Sequence, residues 1–546
     1  MSSRNWGAVL SLLMFPLIAA IPATSQSFMV QCPSSTITHP IAINNNSEPM
    51  YAGPTYTGTN GYPSAPAHVN GAIKCQQISG GEGFATMGDG TQTYMFAFGP
   101  LSGLADIAAG KPGTEVPAVF NDASPPSLVP GDPATTNGAS DAPHANPGTL
   151  GAFTFNGAVG LAPDLDNGAA IDGHVDPRPI MDVAVMNGNI PAPLMAIDED
   201  DEFFLTLTNV GQIMRPDLFE QHTVHFHGYP NASAFYDGVP DASVAINIGA
   251  SFTYYYLAPD AGTYFWHCHI TPPEHLQMGM VGQIYVRPRQ DRVAEGTSLY
   301  TALQNQQTDP RTKCDLTDIL CSNPLPASSN SVAAVKTVVS DSTRQSKAGY
   351  AYNDGDGSTY YDVEYPLQIH GFDPNFHFVG MTFNPEGFAD MKDKYFLLNG
   401  RSYPDTVTDG PLTTQSTDGS MHYSQPLPSI INIPAGGRAL LRISDLDVTE
   451  YQTLASLGIP MKVIALNAKL LRDQDGHNMY YNTNSITLAG GESLDVILDA
   501  CAVRGTDGSC TTQIPAGTYY LYTPNLDHLS NDAENFGGLM TEVHIN

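Results

Sequence analysis

What most limits the fold of this chain is its punctuation. Apolar residues come in short runs, and Gly, Pro, Asn or Asp closes each run. The segments Glu202-Phe-Phe-Leu-Thr-Leu-Thr-Asn209 and Ser251-Phe-Thr-Tyr-Tyr-Tyr-Leu257 are rich in β-branched and aromatic residues. They are too short for independent helices and read as strands. With 51 Gly, 43 Pro and no long stretch of helical period, a helix-dominated fold does not fit. The predicted class is all-β, built as sandwiches or barrels.

A chain of 546 residues has room for two to four domains of ordinary size. A first strand is predicted around 93–98. Residues from about 107 to 176 are dominated by Pro, Gly, Ala and Asp and read as a long insert between strands. Residues 291–350 are polar and read as a linker. Strand-like patterns at 430–433, 439–443, 461–465 and 494–498 then predict a second sandwich over 351–546, beside a first over 26–290. An imperfect repeat relates the two: Ala261-Gly-Thr-Tyr-Phe-Trp-His267 returns as Ala516-Gly-Thr-Tyr-Tyr-Leu-Tyr522. Aligned through Gly-Thr-Tyr, His267, Cys268 and His269 fall on Tyr522, Thr523 and Pro524, so the second copy keeps no metal-binding residue.

Arg4 precedes an apolar run over 7–22, followed by Ala23-Thr24-Ser25. This is the order of a secretory signal peptide, so residues 1–25 are expected to direct export to a periplasmic or extracellular location. No later stretch reaches about 18 apolar residues, and no membrane span is expected. The chain has 22 Lys and Arg against 54 Asp and Glu, a net charge of -32. Such a surface repels nucleic acid and anionic membranes, excludes nucleic acid as a partner, and attracts cations. The acidic run Asp198-Glu-Asp-Asp-Glu202 is expected to be a solvated loop leading into a strand.

The seven cysteines split into Cys32 and Cys75, Cys314 and Cys321, Cys501 and Cys510, and a lone Cys268. Six can pair in an oxidising compartment, neighbour with neighbour in the simplest scheme, although spacing leaves the connectivity open. Cys268 remains a thiol, and its neighbours His267 and His269 point to a metal.

Two segments concentrate six of the sixteen histidines: His222-Thr-Val-His225-Phe-His227-Gly228, and His267-Cys268-His269 followed by His275 and Met280. Alternate residues of a strand share a face. His225 and His227 then point together, as do His267 and His269, with Cys268 on the opposite side. One strand can serve two metal sites joined by a few covalent bonds. His, Cys and His with a weak axial Met is the ligand set of blue copper. Met278 competes as axial ligand, and the spacing favours Met280. Zinc draws on the same residue types, but its structural sites favour compact Cys and Cys/His sets without Met. Leu488-Ala-Gly-Gly491 reads as an ordinary β-turn.

The His-x-x-His-x-His-Gly and His-Cys-His patterns resemble the copper-binding signatures of the multicopper oxidase and copper nitrite reductase superfamily. The likeness extends to Met186-Asn-Gly-Asn-Ile-Pro-Ala-Pro193, Asp237-Gly-Val-Pro240 and Phe396-Leu-Leu-Asn-Gly-Arg-Ser-Tyr-Pro404, and covers about 84–106 and 176–546. It implies two Greek-key cupredoxin-like domains with long loop insertions, and copper as cofactor. It implies type 1 copper on His222, Cys268, His275 and Met280. His225, His227, His267 and His269 match ligands of type 2 and type 3 copper, the catalytic group. Single electrons from a small-molecule or metal-ion reductant would then pass through Cys268 to the second group, which reduces oxygen. A copper nitrite reductase, or a non-catalytic type 1 copper protein that transfers electrons or carries copper, are the alternatives.

The chain departs from the family pattern in three places. A full trinuclear cluster takes histidines from two domains, and only the four just named are visible here. Their second-domain equivalents, 454–457 and 522–524, contain none. His370, His377, His422 and His528 read as packing or surface residues, and a homotrimer would bring one or two from a neighbouring copy into reach. His225 stands where nitrite reductases carry Asp, which tilts the reading towards an oxidase. Type 1 ligands in the first of two domains are the nitrite reductase layout, and Pro272 and Pro273 lengthen the loop from Cys268 to His275 beyond the usual oxidase spacing.

Overall fold

The computed structural model describes residues 30–55, 68–121, 187–309, 313–314 and 324–546, less 213, 216, 229–232, 259, 330–331, 335–347, 381–386, 416–420, 507, 533 and 536. The leader at 1–25, most of the 107–176 insert and Cys321 lie outside the described residues.

Eight strands make the first sandwich: β1 (Ile73–Thr86), β2 (Gln92–Pro100), β3 (Met195–Asp198), β4 (Glu202–Asn209), β5 (His225–Phe226), β6 (Ser251–Leu257), β7 (Gly262–His267) and β8 (Val281–Arg287). They form one sheet of order β2-β1-β4-β6 and another of order β3-β8-β7-β5. Alternation sets the inner face. Phe203, Leu205 and Leu207 of β4 lie opposite Tyr256, Tyr254 and Phe252 of β6, and all six are fully buried. Burying each such side chain is worth roughly 1.5–3 kcal/mol. Trp266, Cys268 and Met280 complete this core from the other sheet.

The second part holds β9 (Gly349–Tyr350), β10 (Tyr360–Tyr361), β11 (Val363–Phe372), β12 (Tyr395–Leu398), β13 (Leu412–Gln415), β14 (Met421–Gln425), β15 (Ile431–Ile433), β16 (Arg438–Asp445) and β17 (Gln452–Leu457). After these come β18 (Met461–Leu466), β19 (Lys469–Leu470), β20 (Tyr481–Thr483), β21 (Ser485–Leu488), β22 (Ser493–Asp499), β23 (Cys501–Arg504), β24 (Cys510–Gln513), β25 (Gly517–Tyr522) and β26 (Met540–Ile545). Its main sheets run β12-β11-β16-β22-β18-β19, with β20 on β18, and β15-β26-β25-β17-β21. The two sandwiches repeat one topology. The parallel pairs β1 with β4 and β3 with β8 recur as β11 with β16 and β15 with β26. The sequence repeat is a structural one as well: Gly262 and Gly517 share φ near +152° and +153°, and His225 opposite His267 corresponds to Ala455 opposite Tyr522.

Three features depart from simple patterning. Strand β1 reads as polar, yet Gln76, Gln77, Ser79 and Glu82 are buried in it. Gln77 Nε2 donates to Thr208 Oγ1 at 3.0 Å, and Glu82 accepts from Tyr94 Oη at 2.7 Å and the Met214 N–H at 2.9 Å. The acidic run 198–202 is not the solvated loop that was expected. All five carboxylates are buried, because cations from distant segments reach them. Arg289 contacts Asp200 at 2.6 Å and Glu199 at 3.3 Å, Arg292 lies 3.7 Å from Asp200, and Lys74 bonds Glu48 at 3.0 Å beside them. The stretch read as a linker carries the helix Leu299–Gln306, whose N-cap Ser298 accepts the Thr301 N–H at 3.1 Å.

Polar bonds join the sandwiches, from the central strands β7 and β8 of one to β16 and β22 of the other. Thr263 of β7 donates to Asp495 Oδ1 at 2.6 Å, Ser493 Oγ donates to the Thr263 carbonyl at 2.7 Å, and Gln283 Nε2 donates to Ser444 Oγ at 2.7 Å. Glu364 takes Arg287 at 2.9 Å and Arg442 at 3.0 Å. Burial pushes that carboxyl up, and the two guanidiniums outweigh it. Disulfides link Cys32 to Cys75 and Cys501 to Cys510, and Cys268 is free and buried. Among the described residues no helix is long and apolar enough to cross a membrane.

Candidate metal centre

Strand β7 ends at His267, but its pairing to β8 continues one residue further, since the Cys268 N–H donates to the Met280 carbonyl at 3.0 Å. Between them the helix Pro272–Gln277 starts after Thr271, which is held at φ +37°, and ends before Gly279 at φ +109°. The Met280 N–H then donates to the His275 carbonyl at 2.9 Å. This folded loop turns His275 onto the thiol. His275 Nδ1 lies 3.3 Å from Cys268 Sγ, and His222 Nδ1 lies 3.9 Å from it. The three ligand atoms are all within 4.8 Å of one another. His222, Cys268, His275 and Met280 are completely buried, and Met278 is buried beside them. Two close approaches shape the group: the Thr223 N–H donates to Sγ at 3.4 Å, and Gly80 leaves room for the His222 ring.

The two buried imidazoles are pushed in opposite directions. Burial drives the His222 imidazole well below its ordinary value. His275 is pulled down by burial, but the Cys268 sulfur and the Glu220 carboxylate, 3.7 Å from Nε2, hold it up at about 9. Two imidazole nitrogens and a thiol, packed in apolar surroundings, fit a soft metal such as copper.

On the other side of the same backbone, His225, His227 and His267 form a second set with ligand atoms within 4.8 Å of one another. His225 Nδ1 donates to the Asp237 carbonyl at 2.7 Å, and His267 Nδ1 donates to the Cys268 carbonyl at 2.7 Å. With Nδ1 protonated, Nε2 of each ring is bare and available to a metal. Nε2 of His227 and Nε2 of His267 lie 2.9 Å apart. Burial, then the charge of His225, pulls His227 down to about 4, and burial holds His267 well below its usual range. His269 stands at the margin of this set. Its ring centroid is 5.1 Å from that of His225, and its N–H donates to Thr223 Oγ1 at 3.0 Å.

A cavity of about 390 Å³ opens in front of His227 and His267. Its first-sandwich wall is Phe265, Pro272 and Leu276, and its far wall belongs to the second sandwich, 447–451 and 489–491. Asp447 and Glu450 supply its carboxylates, and among the described residues no Lys or Arg lines it.

His370, His377, His422 and His528 join neither set. His370 Nε2 bonds the Gln277 carbonyl at 2.9 Å, and His377 Nε2 bonds Gln277 Oε1 at 3.0 Å. His528 lies between Gln452 and Glu450 and stacks on Phe396 at 3.9 Å, while His422 pairs opposite Thr414 in a hairpin. What sequence reasoning missed is the surroundings: Gly80, Thr223, Glu220 and the second-sandwich wall. Only the Gly490-Gly491 pair left a signal, and it read as a turn.

Residues 171–291 match the family model described as multicopper oxidase. A laccase of Aspergillus fumigatus is 33% identical over 109 residues, 20% of this chain and 17% of that protein. A copper-containing nitrite reductase of Rhizobium meliloti is 35% identical over 109 residues, 19% of this chain and 26% of that protein. The alignments thus span less than a third of the length of these relatives. Among solved structures, a blue copper oxidase from Nitrosomonas europaea superposes with TM-score 0.40 at 20% identity, over 66% of this chain and 78% of that one.

Proposed function

From the chain's membership of the multicopper oxidase and copper nitrite reductase superfamily, we propose that it is an exported copper-dependent oxidoreductase. In this reading it takes single electrons from a small-molecule or metal-ion reductant and delivers them to oxygen. His222, Cys268 and His275, with Met280 as axial partner, would hold type 1 copper. His225, His227 and His267, with His269 at the margin, would hold the second copper group. Bound copper would supply the one-electron chemistry, cycling between its cuprous and cupric states.

One observation carries the reading. The two sets of ligand atoms, each within 4.8 Å, meet at the single peptide between His267 and Cys268. The chain's own residues do the rest. The Thr223 N–H steadies the Cys268 sulfur, and the paired carbonyls of Asp237 and Cys268 keep Nε2 of His225 and His267 bare. Glu220, partly exposed over His275, marks the face where a reductant approaches, and its charge suits a cationic or proton-releasing donor. The cavity before His227 favours oxygen over nitrite. Its carboxylates repel an anion, and among the described residues no Lys or Arg is present to attract one.

Copper stoichiometry per chain, with visible and electron paramagnetic resonance spectra of wild type and Cys268→Ser, tests this. A blue band that the variant loses, with more than one copper per wild-type chain, supports it. One copper per chain without a second-site signal points to an electron carrier, and no blue band removes the reading. The mass in solution decides whether a homotrimer brings histidines of another copy to the open face.

A further inference from the structure

The helix Pro272–Gln277 that carries His275 has six residues, too few to hold its shape without tertiary support. Its last residue, Gln277, is buried and reaches into the second sandwich. Gln277 Nε2 donates to Asp393 Oδ1, and Oε1 accepts the Asp373 N–H at 3.1 Å and His377 Nε2 at 3.0 Å. The Gln277 carbonyl accepts His370 Nε2 at 2.9 Å. The Asp373 N–H can only donate, which fixes the oxygen end of the amide. A carbonyl or amide oxygen only accepts, so both histidine rings carry a proton on Nε2.

We propose that Gln277 is the positioning residue for the loop of His275 and Met280, and that the second sandwich, through His370, Asp373, His377 and Asp393, sets where that loop holds His275 against Cys268. This rests on the reading of His222, Cys268, His275 and Met280 as a type 1 copper set.

Packing alone does not explain the two histidines. Both are buried, and Nδ1 of each has no hydrogen-bond partner among the described residues. A buried polar atom left unpaired costs about 1–3 kcal/mol, so apolar side chains of similar size would fill these positions with less penalty. What each ring gains is its bond to Gln277.

The seat is stiff. Asp373 Oδ1 accepts the Asn375 N–H at 2.9 Å, and Oδ2 accepts the Lys392 N–H at 2.7 Å, which ties the end of β11 to the segment before β12. Asp393 also accepts Thr449 Oγ1 at 2.6 Å. The His377 ring lies flat on Phe372, with centroids 5.2 Å apart and planes within 5°. On the other side, the Met278 N–H donates to the Glu274 carbonyl at 3.0 Å and the Met280 N–H to the His275 carbonyl at 2.9 Å. The ligand and the grip therefore belong to one folded piece, and a shift at Gln277 changes the 3.3 Å separation of His275 Nδ1 from Cys268 Sγ.

The test uses the full chain in wild type, Gln277→Met, His377→Phe and Gln283→Met, first metal-free with nitrogen-15 histidine, then loaded with cupric ion. Gln277→Met keeps the length of the side chain and removes its polar end. His377→Phe removes one donor and leaves the first sandwich untouched. Gln283→Met is the control: it loses an equally buried amide that bridges the sandwiches to Ser444, beside Phe265 rather than Cys268. Gln277→Met should shift the His275 ring nitrogens, displace the blue absorption and the reduction potential, and weaken type 1 copper about tenfold. His377→Phe should move each of these the same way by less. Gln283→Met should lose stability with wild-type His275 resonances and blue absorption. Unchanged His275 resonances or an undisplaced blue band in Gln277→Met, or equal shifts in Gln283→Met, would overturn the proposal. If Gln277→Met does not fold, His377→Phe decides by the same readouts. Wild type without a blue band, but with His275 displaced by Gln277→Met in the metal-free chain, would keep the positioning role and remove the copper reading.

Discussion

The backbone N–H of Thr223 donates to Cys268 Sγ across 3.4 Å. The hydroxyl of the same residue accepts the His269 N–H at 3.0 Å, on the side of the second histidine set. Thr223→Val keeps the shape and the N–H to sulfur but leaves the His269 N–H without its acceptor. Urea unfolding of the metal-free protein should show a loss of about 1–3 kcal/mol, while the copper-loaded variant stays blue. An unchanged unfolding midpoint would contradict the bond.

Gly80 plays the matching part for His222. A Cβ there would lie 2.6 Å from Cδ2 of the ring, and His222 cannot swing clear because its N–H is held by the Ile246 carbonyl at 3.1 Å. Gly80→Ala should weaken or shift the blue absorption of copper-loaded protein and destabilise it by about 1–3 kcal/mol. The electron paramagnetic resonance signal of the second set should not change. A wild-type blue spectrum in this variant would show that the ring has slack.

The candidate ligands are legible in the sequence because a strand's period of two sorts His225 and His267 from Cys268 without further information. Their surroundings are not. Strand β1 hides because Gln77 and Glu82 find hydrogen bonds inside the sandwich, so its pattern is polar although it is central. The acidic run 198–202 looks solvated because its neutralising arginines lie about ninety residues on. The wall over His227 comes from turns more than two hundred residues away in sequence, and nothing local in Ala489-Gly490-Gly491 says what it covers.

Glu202 makes stability depend on acid. Its carboxylate accepts from Thr36, from Thr38 at 2.6 Å, from Tyr255 at 2.7 Å and from His39 at 3.0 Å. Burial opposes ionisation, but these donors prevail and hold the pKa at about 2. A depressed carboxyl stabilises the fold above its unfolded value near 4.5 and loses that contribution as pH falls towards 2, a difference worth about 3 kcal/mol. Glu202→Gln should therefore be less stable than wild type at pH 7, with the gap closing between about pH 4.5 and 2. Parallel stability curves for the two proteins would refute this assignment.

Asp393 behaves in the opposite sense. It packs against Asp447 beside Gly371, accepts from Gln277 Nε2 and, at 2.6 Å, from Thr449 Oγ1, while Asp447 accepts from Gln452 at 2.6 Å. Burial first, and then the charge of Asp447, push Asp393 well above the carboxylate range, so it is the protonated partner. An acid whose pKa is raised in the fold gives its full stability below the unfolded value near 4, and that contribution is lost as pH rises towards the folded value. Asp393→Asn removes the proton but keeps a donor for Asp447 and an acceptor for Gln277. Its stability relative to wild type should grow as pH is raised from about 4 to 7, measured by urea unfolding at each pH. Gln277 lies on the helix of His275, so the blue absorption of the copper-loaded variant reports whether the pair also steadies that ligand. A gap between the two proteins that stays constant with pH would mean that Asp393 is ionised in the fold.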